Sequence, residues 1–189
     1  MTRIIAGTAG GRRLQTPPGS GTRPTSDRVR EALFARLEHL GALDGAAVDL
    51  YAGSGALGLE AASRGAAPVL LVESDRRAAA VIKSNVAALG LTDVSVRAAT
   101  VERTLAGDAP YVAQLVLIDP PYAVTEAALA GVLDALTGGW LSQDAVVVVE
   151  RSSRSPQPTW PPGLTPEDER KYGETTLWFA RATPLGSAL

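Results

Sequence analysis

The chain has 189 residues, of which 46% are hydrophobic and 20% are charged, which suits one compact domain with a full core. It contains no cysteine, which excludes a disulfide framework and a thiolate zinc site, and its one histidine, His39, argues against a histidine-based metal centre or catalytic triad. We therefore expect no metal. No apolar run has the length of a membrane span, and residues 1–14 lack the apolar core of a signal peptide, so we expect a soluble cytoplasmic protein.

Basic residues are concentrated at the start of the chain. Residues 1–30 hold six arginines and one acid, although the whole chain has a net charge of −2. This segment is either a basic tail without fixed structure or an arm that contacts nucleic-acid phosphates, because arginine forks match phosphate oxygens. We predict an irregular basic arm over residues 1–22, with a short strand at 3–6, followed by one domain over residues 23–189.

A first helix is predicted to follow this arm, with Thr25 as its N-cap and Gly41 at its end. Apolar residues recur at helical spacing between them, at Val29, Leu33, Leu37 and Leu40. Arg28 and Arg30 lie about 200° apart on such a helix, so they cannot both face the same groove. One of the two is expected to brace the helix against the main domain.

Short apolar runs then alternate with amphipathic stretches. The predicted strands span residues 46–51, 69–73, 94–98, 115–119 and 145–150. The predicted helices between them span residues 56–64, 75–89, 101–105 and 126–136. This alternation is typical of a mostly parallel sheet with helices on both faces. After a Pro- and Ser-rich loop, residues 167–171 and 175–180 predict an antiparallel C-terminal hairpin.

A glycine-rich loop follows the first strand. Gly53, Gly55 and Gly58 have the spacing G-x-G-x-x-G, and Glu73 lies twenty residues after Gly53, at the tip of the second strand. Nicotinamide enzymes place their phosphate-binding turn and ribose-binding acid in the same way. The motif alone therefore leaves open a dinucleotide site, a methyl-donor site and a plain tight turn.

Asp49, at the end of the first strand, favours the methyl donor. A carboxylate there would repel a pyrophosphate at the helix N-terminus, whereas it suits the ammonium and sulfonium groups of S-adenosylmethionine. A dehydrogenase would also need a hydride-acceptor site with a proton donor, and the chain is too short for a separate substrate domain. We predict that Asp49 binds the ammonium end, directly or through water, and that Glu73 accepts both ribose hydroxyls. The other predicted cofactor-binding residues are Tyr51, Gly53, Gly55, Ser74, Thr100 and Val101.

The fourth main strand runs into Asp119-Pro120-Pro121-Tyr122. Two prolines stop the strand and stiffen the loop at the sheet edge where ligands of open α/β folds bind. The Asp119 carboxylate and the Pro120 carbonyl can both accept hydrogens from a base amine, which aims its lone pair at a methyl group. Tyr122 offers a face for stacking an extruded base. We therefore predict that Asp119, Pro120 and Tyr122 are catalytic, through alignment and electrostatics.

Asp-Pro-Pro-Tyr after a fourth strand resembles the signature of amino-methyltransferases. Residues 3–7, 11–14 and 22–34 closely resemble the arm and first helix of the bacterial 16S ribosomal RNA guanine-N2 methyltransferases, the RsmD family. Residues 49–55 and the Tyr172-Gly173 pair are similar too, so the resemblance covers nearly the whole chain. The run Thr22-Arg23-Pro24-Thr25 with Arg28-Val29-Arg30-Glu31-Ala32 is its specific part.

The resemblance implies a class I S-adenosylmethionine-dependent methyltransferase with a Rossmann-like fold. Its substrate would be the N2 of one guanine in 16S RNA, within the 30S subunit or an assembly intermediate, and the enzyme would be a monomer. The arginines expected to hold this RNA are Arg12, Arg13, Arg23, Arg28 and Arg30. Such enzymes often carry Asp or Asn against the cofactor adenine, whereas this chain offers only the Thr100 hydroxyl there, and a backbone contact could replace it.

Three alternatives remain. A DNA adenine-N6 methyltransferase would normally need a target-recognition region, for which the chain leaves little room. A glutamine methyltransferase of release factors favours Asn at the position of Asp119. A non-catalytic RNA-binding assembly factor of the same fold would not need the loop from Asp119 to Tyr122.

Overall fold

The computed structural model describes residues 2–19 and 26–184. The helices are α1 (Asp27–His39), α2 (Ala56–Ser63), α3 (Arg76–Leu89), α4 (Val101–Leu105) and α5 (Glu126–Leu136). The strands are β1 (Ala47–Leu50), β2 (Val69–Glu73), β3 (Val94–Ala98), β4 (Ala113–Ile118), β5 (Leu141–Ser152), β6 (Leu164–Tyr172) and β7 (Thr175–Ala182). Apart from residues 3–6, the predicted elements are all present; the bounds of β2, β3, α4 and α5 agree with those predicted, and most of the other bounds lie within two residues.

Seven strands form one sheet in the order β3-β2-β1-β4-β5-β7-β6. The first five strands in this order are parallel, and β7 pairs antiparallel with both β5 and β6. The predicted mostly parallel sheet with a C-terminal antiparallel hairpin is therefore confirmed. Pro166 is accommodated inside β6 because this strand lies at the edge and its register shifts between Pro166 and Asp168.

β5 is longer than the apolar run from which it was predicted. It begins at Leu141, and the register with β4 shifts between Ala113 and Leu115. The polar residues Gln143 and Asp144 at its start are exposed, and Asp144 has a φ of 62°. A polar, irregular strand end of this kind gives no hydrophobic signal, so the sequence placed the start of the strand four residues too late.

The central strands are buried on both faces because helices cover each side. All four residues of β1 are buried. Alternate strand residues enter two hydrophobic clusters, one with α1, α2 and α3 and the other with α4 and α5. Because these strands are parallel, their carboxyl ends lie along the same side of the sheet. That side is where ligands of open α/β folds bind.

Side-chain caps begin four of the helices. Asp75, Thr100 and Thr125 each accept backbone N–H bonds at the first turn of α3, α4 and α5. The cap of α1 is Ser26, which accepts from the Val29 N–H. Ser26 replaces the predicted cap, Thr25, which lies outside the described residues.

Residues 2–14 pack into the core. Ile4, Ala9 and Leu14 are buried in the same cluster as α1 and α2. A single antiparallel bridge between Arg3 and Arg13 takes the place of the short strand predicted at 3–6. The buried carboxylate of Glu60 accepts the N–H groups of Ile5 and Ala6 at 2.8 and 3.1 Å, which ties the segment to α2.

Gly7 shows how close this packing is. It has a φ of +84°, and a Cβ there would lie 2.0 Å from the Ser63 carbonyl oxygen. Ser63 also donates its hydroxyl to the Ala6 carbonyl and accepts the Ala9 N–H. Residues 2–14 of the predicted basic arm are therefore in contact with the main domain. The boundary predicted at residues 22 and 23 lies outside the described residues. Among the helices in the described part of the chain, none is long and apolar enough to cross a membrane.

Candidate active site

Strand register brings the predicted site residues together at one edge of the sheet. Leu50 at the end of β1 pairs with Val72 of β2 on one side and with Ile118 of β4 on the other. The glycine loop after β1 therefore lies between Glu73 and Asp119. On the far side of β4, Ile118 pairs with Val149, which places the end of β5 beside the same loop. β1 is the strand at which the chain order along the sheet reverses, where ligands of such sheets bind.

The glycine loop is held open by left-handed backbone. Tyr51, Gly53 and Gly55 have φ values of 60°, 59° and 84°. No atom lies within 4 Å of the position that a Cβ on Gly53 would occupy. Glycine at 53 therefore meets a backbone requirement and leaves free space above the loop for a ligand.

Glu73 links the glycine loop to the start of α3. Its carboxylate accepts the Gly53 N–H at 2.8 Å and the Asp75 N–H at 3.2 Å. Each carboxylate oxygen keeps further lone pairs, so the side chain can still accept ligand hydroxyl groups. Ser74, another predicted cofactor contact, is exposed next to it.

Asp49 is buried beneath the loop, with 2% of its surface exposed. Its carboxylate accepts the Gly58 N–H at 2.8 Å. Burial raises the pKa of Asp49 to about 7, the bond from Gly58 opposes this shift, and the nearby charge of Glu73 adds to it. Gly58 is required here because a Cβ would lie 2.9 Å from the Asp49 Cβ.

The predicted contacts at Tyr51, Thr100 and Val101 lie around this loop. Tyr51 is partly buried, and its hydroxyl is buried without a hydrogen-bond partner among the described residues. Burial, followed by the charge of Glu102, raises the pKa of Tyr51 to about 12. Thr100 is exposed, but its hydroxyl already accepts the Arg103 N–H at 3.1 Å, and Val101 is buried.

The loop after β4 carries the predicted catalytic residues. Asp119 is partly buried, Pro120 is buried, and Tyr122 is 84% exposed. The pKa of Asp119 is raised well above its ordinary value, first by burial and then by the charges of Glu150 and Asp49, while Arg151 opposes the shift. The Val124 N–H donates to the Pro121 carbonyl at 3.0 Å and closes a turn.

Arg151, at the end of β5, was missed by the sequence analysis. It is 9% exposed, and its Nη2 donates to the Val124 carbonyl at 3.2 Å and to the Glu126 carboxylate. The available signal was its position directly after an apolar parallel strand, at the same edge as Asp119. That signal was overlooked because the Pro- and Ser-rich loop was taken to begin there.

The arginines predicted to bind RNA have different environments. Arg12, Arg13 and Arg28 are exposed, and Arg12 also donates to the Ala88 carbonyl at 2.7 Å. Arg23 lies outside the described residues.

Arg30 is 1% exposed, so the prediction that it contacts RNA is wrong. It donates to the Arg3 carbonyl and to Asp27, and its Nη1 lies 3.6 Å from the Glu60 carboxylate. Of Arg28 and Arg30, Arg30 is therefore the one that braces α1. Within the part of the chain that the structure describes, no cluster of His, Asp or Glu side chains could hold a metal ion.

Comparisons with known proteins match almost the entire chain. The family model described as "Conserved hypothetical protein 95" matches residues 2–181. The chain is 37% identical over 174 residues to the ribosomal RNA small subunit methyltransferase D of Escherichia coli strain K12, covering 91% of this chain and 85% of that protein. A solved Escherichia coli structure superposes with a TM-score of 0.87 at 32% identity, covering 97% of this chain and 99% of that one. An RNA methyltransferase from Salinibacter ruber in complex with S-adenosyl-L-homocysteine shares the fold, with a TM-score of 0.64 at 17% identity and coverage of 88% of this chain and 98% of that one.

Proposed function

The chain belongs to the "Conserved hypothetical protein 95" family, the RsmD family of ribosomal RNA methyltransferases, and we propose from that premise that it methylates the exocyclic N2 of a guanine in 16S ribosomal RNA. The observation that carries the proposal is Asp119, an acid that stands next to two prolines at the carboxyl end of β4 and within reach of the charges of Glu150, Asp49 and Arg151. Such a group suits a substrate that donates hydrogens and develops positive charge.

The residues around the glycine loop fit S-adenosylmethionine better than a dinucleotide. Glu73 and Asp49 bring two carboxylates close to the loop, and each raises the electrostatic cost of a bound pyrophosphate. The space above Gly53 leaves room for a ligand, and the nearby buried Tyr51 hydroxyl has no hydrogen-bond partner among the described residues. The cofactor supplies an electrophilic methyl group carried on a sulfonium ion.

Each protein residue around that cofactor has a defined task in this proposal. The Glu73 carboxylate would accept hydrogen bonds from the ribose hydroxyls in addition to the bond that it already accepts from the Gly53 N–H. Asp49 is too deeply buried for broad contact with a ligand, so it acts on the ammonium end through water or through its charge. Thr100 and Val101 border the adenine, where a backbone contact replaces the missing acid, since the Thr100 hydroxyl already caps α4.

The loop from Asp119 to Tyr122 holds the target base. The amine lone pair of guanine is delocalised into the ring, which makes the nitrogen a weak nucleophile. The Asp119 carboxylate and the Pro120 carbonyl accept its two N–H hydrogens, which directs the lone pair towards the methyl group. The exposed ring of Tyr122 stacks on the extruded base.

Exposed arginines bind the RNA that flanks the target base. Arg12, Arg13 and Arg28 are on the surface of the packed N-terminal segment and α1, where they can reach phosphates. Arg23 remains a candidate on its sequence alone. We place the reaction in the cytoplasm, on the 30S subunit or an assembly intermediate, with the enzyme acting as a monomer.

The test is transfer of labelled methyl groups from S-adenosylmethionine to small subunits that lack the modification, followed by nucleoside analysis. We expect label in N2-methylguanosine from 16S RNA, lost in Asp119→Ala and retained in Asp134→Asn, a control on the exposed face of α5. Naked 16S RNA and duplex DNA serve as parallel substrates. Label in N6-methyladenine of DNA, or cofactor binding without transfer to any of the three, would overturn the proposal.

A further inference from the structure

We propose that Arg151 is a positioning residue for methyl transfer, which fixes the loop between β4 and α5 and faces Asp119 with a positive charge. The inference rests on the proposed function for its kinetic consequences. Its structural part, that Arg151 holds the loop, can be tested without any substrate.

Arg151 lies where the carboxyl end of β5 meets the active-site loop. Its side chain is 7% exposed, and its Nη2 bridges the Val124 carbonyl and the Glu126 carboxylate. Its Nε is buried without a hydrogen-bond partner among the described residues. A guanidinium buried in this way usually has a full set of partners, so the unused N–H leaves a donor at the edge of the site.

The bonds of Arg151 fix the far end of the loop. At the near end the chain is stiffened by Pro120 and Pro121, and the Val124 N–H closes a turn onto Pro121. Arg151 then holds the Val124 carbonyl and the first residue of α5, Glu126. Tyr122 lies between these two fixed points and is 84% exposed, so its own packing does little to hold it. Its position depends on the loop ends.

The charge of Arg151 is matched to the carboxylates around Asp119. Burial raises the pKa of Asp119 most, the charges of Glu150 and Asp49 raise it further, and Arg151 is the group that lowers it. The proposed role of Asp119 requires an ionised carboxylate. A protonated acid has lost its negative charge, and one of its oxygens has become a hydrogen-bond donor instead of a pure acceptor. Arg151 therefore supports the ionised form at the pH where the enzyme works.

Arg64 provides a matched control for a purely structural role. Its side chain is also 7% exposed, and it pairs with Glu60 and with Glu38, each at 3.0 Å. It follows the last residue of α2, a helix of eight residues that begins at the glycine loop and ends about 12 Å away along its axis. Loss of Arg64 thus removes a buried ion pair without touching the site.

The experiment compares Arg151→Gln, Arg151→Lys and Arg64→Gln with the wild type. Four quantities are measured: kcat, KM for small subunits, the pH profile of kcat, and hydrogen exchange of the amides of residues 122–126 without substrate. Activities are compared at a temperature at which circular dichroism shows every variant to be folded.

We expect kcat of Arg151→Gln to fall by up to about a hundredfold, the loss that a misplacement of about 1 Å can cause. The acid limb of its pH profile should move to higher pH, because Asp119 then loses the cation that lowers its pKa. Arg151→Lys keeps a charge and should retain the wild-type acid limb with an intermediate kcat. Exchange in residues 122–126 should be faster in Arg151→Gln and unchanged in Arg64→Gln.

Equal kcat values and an unmoved acid limb in Arg151→Gln and Arg64→Gln would overturn the positioning role. Unchanged exchange in residues 122–126 would overturn the loop-holding part even if no substrate were ever methylated. Faster exchange together with a wild type that is inactive on small subunits would instead reject the proposed function and leave the role of Arg151 in holding the loop intact.

Discussion

Two carboxylates of this protein, Glu60 and Asp119, have opposite surroundings. Glu60, at the junction of α2 with residues 2–14, accepts two backbone N–H groups and an Arg64 bond at 3.0 Å, with Arg30 at 3.6 Å. Asp119, at the carboxyl end of β4, has a pKa that is raised by burial and by the charges of Glu150 and Asp49, with Arg151 as the opposing charge. Glu60 is compensated by cations and amides, whereas at Asp119 the charges of Glu150 and Asp49 outweigh that of Arg151.

This difference separates a structural cluster from a functional one. A compensated buried carboxylate stabilises the fold, because its removal leaves arginines and N–H groups without an acceptor. A buried carboxylate without enough neighbouring cations or N–H groups lowers the stability of the free protein. Binding of a cationic or hydrogen-donating ligand offsets this cost. Five variants test this difference.

Asp119→Asn tests the functional cluster most directly. We expect kcat to fall about 10²–10³-fold, since one group that stabilises the transition state is lost, while affinity for the cofactor stays nearly unchanged. Steady-state kinetics on small subunits and calorimetry with S-adenosylhomocysteine measure the two effects, with Asp134→Asn as the control. Near-normal turnover would mean that Asp119 does not hold the amine.

Glu60→Gln tests the structural cluster. We expect the free energy of unfolding to fall by about 3–5 kcal/mol, because two arginines lose their buried partner. Glu38→Gln is the control, since Glu38 is the exposed partner of the same Arg64 and should cost about 1 kcal/mol or less. Urea unfolding followed by circular dichroism measures both. A similar, small loss in the two variants would show that Glu60 is not the anchor of the N-terminal segment.

Asp49→Asn tests whether the site carboxylates are destabilising. With a folded pKa of about 7 against an ordinary 3.8, the folded state binds more protons than the unfolded chain between these values, so stability falls as pH rises through that window. In Asp49→Asn, the loss in free energy of unfolding between pH 4 and pH 8 should be smaller than in the wild type by on the order of 2–4 kcal/mol, because each pKa unit is worth about 1.4 kcal/mol. Unfolding at a series of pH values measures it, and an unchanged slope would contradict the burial of a carboxyl at this position.

Glu73→Ala tests the cofactor side of the site. We expect weaker binding of S-adenosylhomocysteine by about 1.5–3 kcal/mol for each hydrogen bond lost to the carboxylate. Asp93→Ala, just before β3 at the other edge of the sheet, is the control and should leave the affinity unchanged. Calorimetry gives both values. If the protein bound a nicotinamide dinucleotide tightly and did not bind S-adenosylhomocysteine, the glycine loop would be a dinucleotide site and not a methyl-donor site.

Arg28→Gln has the smallest expected effect and concerns the surface beside the structural cluster. If Arg28 contacts one phosphate, the log–log salt slope of subunit binding should become shallower by about 0.7–0.9. Arg12→Gln and Arg13→Gln should act in the same way, while Arg170→Gln, exposed on β6, should not. The measurement is binding against salt concentration. Slopes equal to that of the wild type in all three variants would remove this face from the RNA interface.

Periodicity predicted most of the fold because the buried strands and the helices carry their own signals. The bounds of β2, β3, α4 and α5 agree with those expected, and the glycine loop and the Asp-Pro-Pro-Tyr loop fall at the predicted edge. The start of β5 was missed because Gln143 and Asp144 are polar and exposed there. Arg151 was missed because a Pro- and Ser-rich loop follows it directly, although its position after an apolar strand was a signal.

The N-terminal segment shows the limit of composition as a guide. Its arginines and glycines predicted a basic arm, yet Ile4, Ala9 and Leu14 are buried in the core. These three residues recur every five positions, a spacing that fits neither a helix nor a strand, so only contact with α2 reveals that they are buried. A deletion of this segment would therefore uncover Glu60 and part of the core as well as removing basic charge.

By itself, the sequence determined the order of elements, the edge of the sheet that carries the site, and the residue types that chemistry needs there. The tertiary structure alone decided which charges are compensated. Arg28 and Arg30 are two residues apart on one helix, but only Arg30 turns inwards, where it meets Glu60 from α2. Asp119 likewise acquires its neighbours from β1 and β5. The physical reason is that the energy of a buried charge depends on groups distant in sequence, whereas helix and strand periodicity depends on near neighbours.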